Sequence, residues 1–553
     1  MKKIGKKLVS VLLVSLLLFS VASPASAAWG LTVNKYPVIH IFGDGNALYD
    51  KDGNKLLEYR DLLDGINNDG EKTEEDEERR KEIYKSVANV VLPFLIEGLG
   101  TGNYDNYYKA LQKEIGELFE GILLDKNGEN HNGSSISKEE LRQMDYKADH
   151  DQKDGNGNYR LYNYIYGYDW RLDPLVIADE LHEYIERVKK STNSSKVALS
   201  GRCLGSSVVT AYVAKYGMDS IHAVCFDGGV VNGAEVLSET ISGKFKLNGD
   251  AINRFLIDCD ALGMFKVDEF INEIIDMLSK AGVFKTIAGV TKETIYYKVV
   301  EGVTSALALS TFFTFPSYWA AVKSEDFEDA KNYVFGPEGS EKRKEYAGLI
   351  AKLDNYDRTV RQKIPEIMNT INEGGNLAII AKYGVQIVPF IESNNAIADE
   401  FASVECASYG ATTSDIYSTL PEDYISARIS EGKGKYISPD RQIDASTCQF
   451  PDQTWFIKGC KHSKWSAAED EVIYNVIASD TQLTVEDSRL SQFMAYDVAT
   501  DTAEAMNGEN CDTYYWKANK KADYPESDAA RLFFFITSLL KVLMSLVSRL
   551  LKK

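Results

Sequence analysis

The chain has 553 residues, 44% of them apolar and 26% charged, and a formal net charge of −20 at neutral pH. That composition belongs to a globular protein with length for a large core or two domains, and it excludes a chain disordered throughout. So acidic a body repels a phosphate backbone, and no nucleic-acid partner is expected.

The first residues pair four lysines with an apolar run from Leu8 to Ala22, followed by Pro24 and an A-x-A site at Ala25-Ser26-Ala27. This is the pattern of a cleaved signal peptide over residues 1–27, which predicts a secreted protein. Next comes an apolar strand (Val38 to Phe42), a glycine-rich corner (FGDGN), and a hairpin turn at Asp52-Gly53-Asn54. The charge-dense stretch from Glu71 to Glu82 reads as a solvated face or loop. Residues 124–158 are rich in Asp, Asn and Gly, but none of their loops has the acid spacing of a calcium site, so turns are expected and no metal.

An aromatic strand within YRLYNYIYGYDWRLDP runs into a helix whose N-cap is Asp173, with Pro174 in its first turn. After that helix, KVALSGRCLGSS (Lys196 to Ser207) reads as a buried strand, a glycine-bounded corner and an apolar helix start. IHAVCFDGG adds another buried strand. Strand, helix, strand, helix predicts a mostly parallel α/β sheet. From about 232 to 370 the pattern is helical, predicting a cap or lid inserted into one α/β domain; strands return at NLAIIAKYGVQIVPF and QTWFIKG. The core is thus assigned to residues 28–231 and 371–480, and 481–530 to a polar extension. The last segment, 531–553, holds Arg531, Lys541, Arg549, Lys552 and Lys553 without an acid, and has a broad Leu/Phe/Val face. Lys541 near its middle disfavours a span, so an amphipathic helix lying on a membrane surface is expected.

The corner Gly201-Arg202-Cys203-Leu204-Gly205 has the form of a G-x-S-x-G nucleophile elbow with cysteine in the middle. Such a nucleophile needs a base, an acid that orients the base, and amide donors for an oxyanion. Only His222 and His462 follow Cys203, and His462 lies in the turn after the strand TWFIKG, so His462 is the expected base. The expected acid is Asp440, in ISPDRQIDAST, with Asp444, Asp399 and Asp452 as alternatives. The amides of Asp44 or Gly45, in the first corner, and of Leu204 are the candidate oxyanion donors. Arg202 is a cation placed to activate the thiol. If Cys203 stays free, the other six cysteines allow up to three disulfides; the alternative is a set of buried thiols.

The strings YPVIHIFGDGNALYD, YDWRLDP, LSGRCLGSS, TFPSYW, SPDRQIDAS and GCKHS resemble, in this order, the lecithin:cholesterol acyltransferase family, which includes lysosomal phospholipase and bacterial esterase relatives. The resemblance covers roughly residues 35–480, least in the cap. It implies an α/β-hydrolase fold acting on phospholipid or other lipid esters without a cofactor. Residue by residue, it puts Cys203 on the family's nucleophilic serine, Asp440 on its acid, His462 on its base, and Asp44 and Leu204 on its oxyanion positions. Trp170 and Asp169 match residues that in the family line the site entrance and hold the fold there, and Gly45, in the first corner, is with Trp170 a candidate substrate-binding residue. Three departures stand out: Cys203 for serine, Arg202 for the usual histidine, and PDRQI for a glycine-rich acid turn. The expectation is a secreted lipid acyl-ester hydrolase or acyltransferase using a Cys-His-Asp triad, with a membrane surface as partner. The alternative is a hydrolase-fold protein that binds lipid or envelope components without turnover.

Overall fold

The structure is a computed structural model, and it describes residues 36–43, 47–53, 55–57, 92–136, 164–246, 248–260, 292–488, 490–513 and 516–517. The expected signal peptide, the corner residues Asp44 and Gly45, and the basic C-terminal segment lie outside these residues.

One sheet organises the chain. Its strands are β1 (Val38–Ile41), β2 (Tyr164–Tyr166), β3 (Val197–Arg202), β4 (Ile221–Asp227), β5 (Asn376–Tyr383), β6 (Thr454–Lys458), β7 (Phe493–Asp497) and β8 (Thr502–Ala505). They lie in the order β8-β7-β6-β5-β4-β3-β1-β2, and every pairing is parallel except β7 with β8. The mostly parallel α/β architecture read from the sequence is therefore present. The last two strands on one side of the sheet, β7 and the edge strand β8, come from the segment expected to be only a polar extension; Phe493 and Met494 are buried there, extending the sheet by one parallel and one antiparallel strand.

The central strands are buried along their whole length, as a parallel sheet covered on both faces requires. Alternate residues supply two separate cores. Ile39, Leu199, Val224, Phe226 and Leu377 face helices α1 (Pro174–Thr192) and α2 (Leu204–Tyr216). Val38, Ala198, Ala223, Cys225 and Ala378 face the other way, where the small side chains let helix α4 (Ala467–Ala478) lie close on the sheet. Helix α1 starts as expected: the Asp173 carboxylate accepts from Leu175 N at 2.9 Å, with Pro174 in the first turn. It ends at Asn193 in a left-handed conformation.

Between β4 and β5 the described elements are helices, beginning with α3 (Glu235–Ser242) and continuing through 292–310 to 364–374. Among the described residues no helix is long and apolar enough to cross a membrane. Cys203, Cys225, Cys406, Cys448, Cys460 and Cys511 are free thiols, all but Cys511 buried, so of the two open readings these six fit the set of buried thiols.

Candidate active site

The elbow is built from close approaches that only glycine permits. A Cβ on Gly205 would lie 2.0 Å from the carbonyl oxygen of Ile41, so α2 can start against β1 only if that side chain is missing. A Cβ on Gly201 would press at 3.0 Å on both Ser206 and Val209. Between them Cys203 takes φ 50° and ψ −129°, a conformation that costs a non-glycine residue on the order of 1–3 kcal/mol and is kept where the surroundings enforce it. Ser206 enforces it here: its hydroxyl donates to the Cys203 carbonyl at 2.5 Å and accepts from Val230 N at 2.9 Å.

Gly43, after β1, runs beside the thiol. A Cβ there would sit 3.4 Å from Cys203 Sγ and 3.5 Å from the Leu204 amide nitrogen. Leu204 opens α2, where the first amides of a helix have no intrahelical acceptor, so its N–H is available for an oxyanion. Of the two expected donors, Leu204 is in place, and Asp44 lies outside the described residues.

His462 follows β6 as expected and is buried at 2% exposure. Its Nδ1 is 2.7 Å from Asp399 Oδ2, and its backbone N–H donates to the Asp399 carbonyl at 2.8 Å. Asp399 is fully buried, and its Oδ1 also accepts from the amides of Phe401 and Ala402 at 3.2 and 3.0 Å. Phe401 flanks the imidazole, ring centroids 5.0 Å apart. Gly228, after β4, passes so close that a Cβ would meet the His462 ring at 3.4 Å.

Electrostatics fits this contact. Burial raises the Asp399 carboxyl, but the His462 charge and hydrogen bond, Lys382 and the Ala402 amide outweigh it and hold the pKa below the ordinary carboxylate value. Burial lowers His462, yet Asp399 and then Cys203 outweigh that and lift it from 6.5 to about 10. Nε2 is buried and makes no well-formed hydrogen bond, and Cys203 is close enough to act on it. In free enzymes catalytic hydrogen bonds are often long and tighten only around substrate.

Asp440, the expected acid, is elsewhere. It pairs with Lys458 Nζ at 2.8 Å and accepts from the hydroxyls of Tyr383 at 3.1 Å and Ser438 at 2.5 Å. The alternatives Asp444 and Asp452 are also engaged, the first with Arg428 at 2.9 Å and the second with the Tyr436 hydroxyl at 2.7 Å. The position of Asp399 is the reason for the correction. It lies in the loops after β5, the strand paired with β6, which His462 follows, and both its backbone carbonyl and its carboxylate meet His462.

Two further expectations change. Arg202 does not face the thiol: its guanidinium turns to Asp227, 3.2 Å away, and lies over the Trp465 ring at 4.6 Å. Trp170 is fully buried against Phe315 and Tyr318, ring centroids 5.6 and 5.8 Å away, and in this form offers no surface to a ligand. Asp169 does hold the local fold, through an ion pair at 2.5 Å with the fully buried Arg171, which also donates to the Ile122 carbonyl at 2.8 Å. Gly45 lies outside the described residues.

No protein-family model and no curated protein sequence matches the chain. Among solved structures, it is similar to a chain in "The crystal structure of Tle4-Tli4 complex", at 11% identity over 92% of this chain and 98% of that one, with a TM-score of 0.28. So low a score carries no argument, and the description of the fold rests on the sheet itself.

Proposed function

We propose that the chain is an α/β-hydrolase-fold enzyme that cleaves or transfers acyl esters through Cys203, His462 and Asp399. The observation that carries this reading is a strained cysteine on a strand-to-helix elbow that acts on a buried histidine whose Nδ1 is held by a buried carboxylate. His462 Nε2 takes the thiol proton as Sγ attacks the ester carbonyl. The Leu204 amide stabilises the oxyanion. That attack forms the S–C bond; collapse of the tetrahedral intermediate re-forms the carbonyl and breaks the C–O bond, and the imidazolium gives its proton to the departing alcohol. Water, or an acceptor alcohol or thiol, then attacks the thioester carbonyl while His462 takes its proton, and the second collapse breaks the S–C bond and returns that proton to Sγ. The raised His462 pKa suits the first half of this cycle, because it makes the imidazole a stronger acceptor for the thiol proton.

The substrate class follows from the family resemblance: lipid esters, with the helical insertion between β4 and β5 as a cap over the site. Secretion through residues 1–27 and contact with a membrane surface through residues 531–553 complete the proposal. The test is a p-nitrophenyl ester series of increasing chain length, offered to the protein without residues 1–27. The reading predicts hydrolysis that vanishes in Cys203→Ala, and an acylated Cys203 peptide after rapid quenching. An intact wild type that forms no adduct and releases no nitrophenol overturns it.

A further inference from the structure

The turn that carries His462 is gripped from beneath by two buried cations. Arg202 Nη2 donates to the carbonyl of His462 at 2.7 Å and to that of Lys464 at 2.6 Å. Lys382 Nζ donates to the same two carbonyls at 3.1 and 3.0 Å. Behind them stand two carboxyls. Asp227 is 3.2 Å from Arg202 and 3.5 Å from Lys382, and Glu469 is 3.0 Å from Lys382. All four side chains are buried. The indole of Trp465 covers the guanidinium and donates through Nε1 to Asp470.

The strand pattern explains the cluster. Arg202 pairs with Asp227 in the register of β3 and β4, and β5 lies next to β4. Arg202, Asp227 and Lys382 follow in step from Ala198, Cys225 and Ile380, so they lie on the α4 face of the sheet at the ends of three neighbouring strands. Burying four ionisable groups gives little stability compared with a well-packed apolar cluster, and a role in fixing geometry accounts better for such an arrangement. Here the fixed object is one residue: His462 is held at its carbonyl by Arg202 and Lys382, and at its N–H and Nδ1 by Asp399. Arg202 is also bonded directly to Cys203, so one side chain links the nucleophile's elbow to the turn of the base.

We propose that Arg202 and Lys382 are positioning residues for acyl transfer, a two-cation clamp that sets His462 Nε2 opposite the Cys203 thiol. The proposal rests on the reading of Cys203 and His462 as the reacting pair. It reinterprets the charge beside the nucleophile: Arg202 acts through the base and not on the thiol.

Among the described residues, the ionisable groups facing His462 include Asp399, Cys203, Glu400 with its partner Lys461, and Asp227, Arg202 and Lys382 of the clamp. Its ionisation therefore reports its placement. The experiment is NMR titration of the full chain carrying [13Cε1]histidine, with the His462 signal assigned by its loss in His462→Gln, in parallel with steady-state hydrolysis of p-nitrophenyl butyrate. Arg202→Lys keeps the charge and loses the fork that reaches both carbonyls. The clamp predicts a His462 midpoint lowered by about one pH unit or more as the contact with Asp399 loosens. It also predicts kcat lowered by about 10²-fold with KM within a few-fold, the size of effect known for a small misplacement of a catalytic group. Trp465→Phe, which disturbs the cover of the guanidinium and spares its charge, shifts both in the same direction by less, and it serves if Arg202→Lys does not fold. A midpoint and kcat equal to wild type in the folded variants, with only the melting temperature lowered, overturn the clamp and leave a structural role. The titration needs no turnover, so a wild type inactive on every ester overturns the acyl-transfer reading while the midpoints still decide whether the cations place the imidazole.

Discussion

Two buried aspartates lie near the ends of β5 and β6, each against a basic side chain, and only one is placed to orient a base. Asp399 meets His462 at 2.7 Å and takes two backbone amides on its other oxygen. Asp440 meets Lys458 at 2.8 Å among tyrosine and serine hydroxyls. Lysine has no second nitrogen with which to pass the effect on, so the Asp440 pair is a structural tie, whereas an imidazole transmits the orientation of one nitrogen to the other. The comparison teaches that the string around an acid is weaker information than the strand from which its loop departs.

The comparison can be broken by substitution, and the effects should descend in order. Cys203→Ala should abolish ester turnover, and Cys203→Ser should retain a measurable part of it if the oxyanion amides serve an oxygen nucleophile as well. Asp399→Asn should lower kcat by about 10³-fold or more, because the amide can favour the wrong imidazole tautomer. Its analogue at the other site should behave oppositely: Asp440→Asn should keep kcat within a few-fold and lose stability by about 3 kcal/mol, the usual result of leaving a buried cation, here Lys458, without its countercharge. Urea unfolding of the two variants beside their kinetics separates these outcomes.

Smaller effects concern pH. The His462 pKa is raised in the fold, so its contribution to stability is full below about 6.5 and is lost as pH climbs towards about 10. His462→Gln should flatten that alkaline decline in thermal melts. Asp470 is a carboxyl raised by burial to about 8, so its ionisation also costs the fold stability as pH rises from the ordinary carboxylate range. Asp470→Asn keeps an acceptor for the Trp465 indole and removes that cost. It should raise the melting temperature by a few degrees at pH 9 and leave it nearly unchanged at pH 5.

Much of the architecture was legible because it rests on local pattern. The buried runs of β3 to β6, the Asp173 cap, the elbow with its two glycines, and His462 directly after β6 each carry their signal within a few residues. What escaped depends on distance in the chain. Asp399, named from the sequence only as an alternative to Asp440, reaches His462 across 63 residues, and its fitness comes from strand order in the sheet, which no local string carries. Arg202 was seen as a cation next to the thiol, but strand alternation sends its side chain to the α4 face, where Asp227 and the two turn carbonyls wait. β8 was hidden because an edge strand is short and partly polar, with Thr502–Ala505 largely exposed, and the buried FMAYD of β7 is a single short run inside a polar segment.

The most direct test of the central claim is the rate of Cys203 acylation, followed by quenched intact mass after mixing with p-nitrophenyl butyrate, in wild type, Asp399→Asn and Asp440→Asn. The account predicts a single acyl adduct on Cys203 in wild type and Asp440→Asn at similar rates, and a strongly slowed adduct in Asp399→Asn. Fast acylation in Asp399→Asn with slow acylation in Asp440→Asn would contradict it and return the acid's role to Asp440.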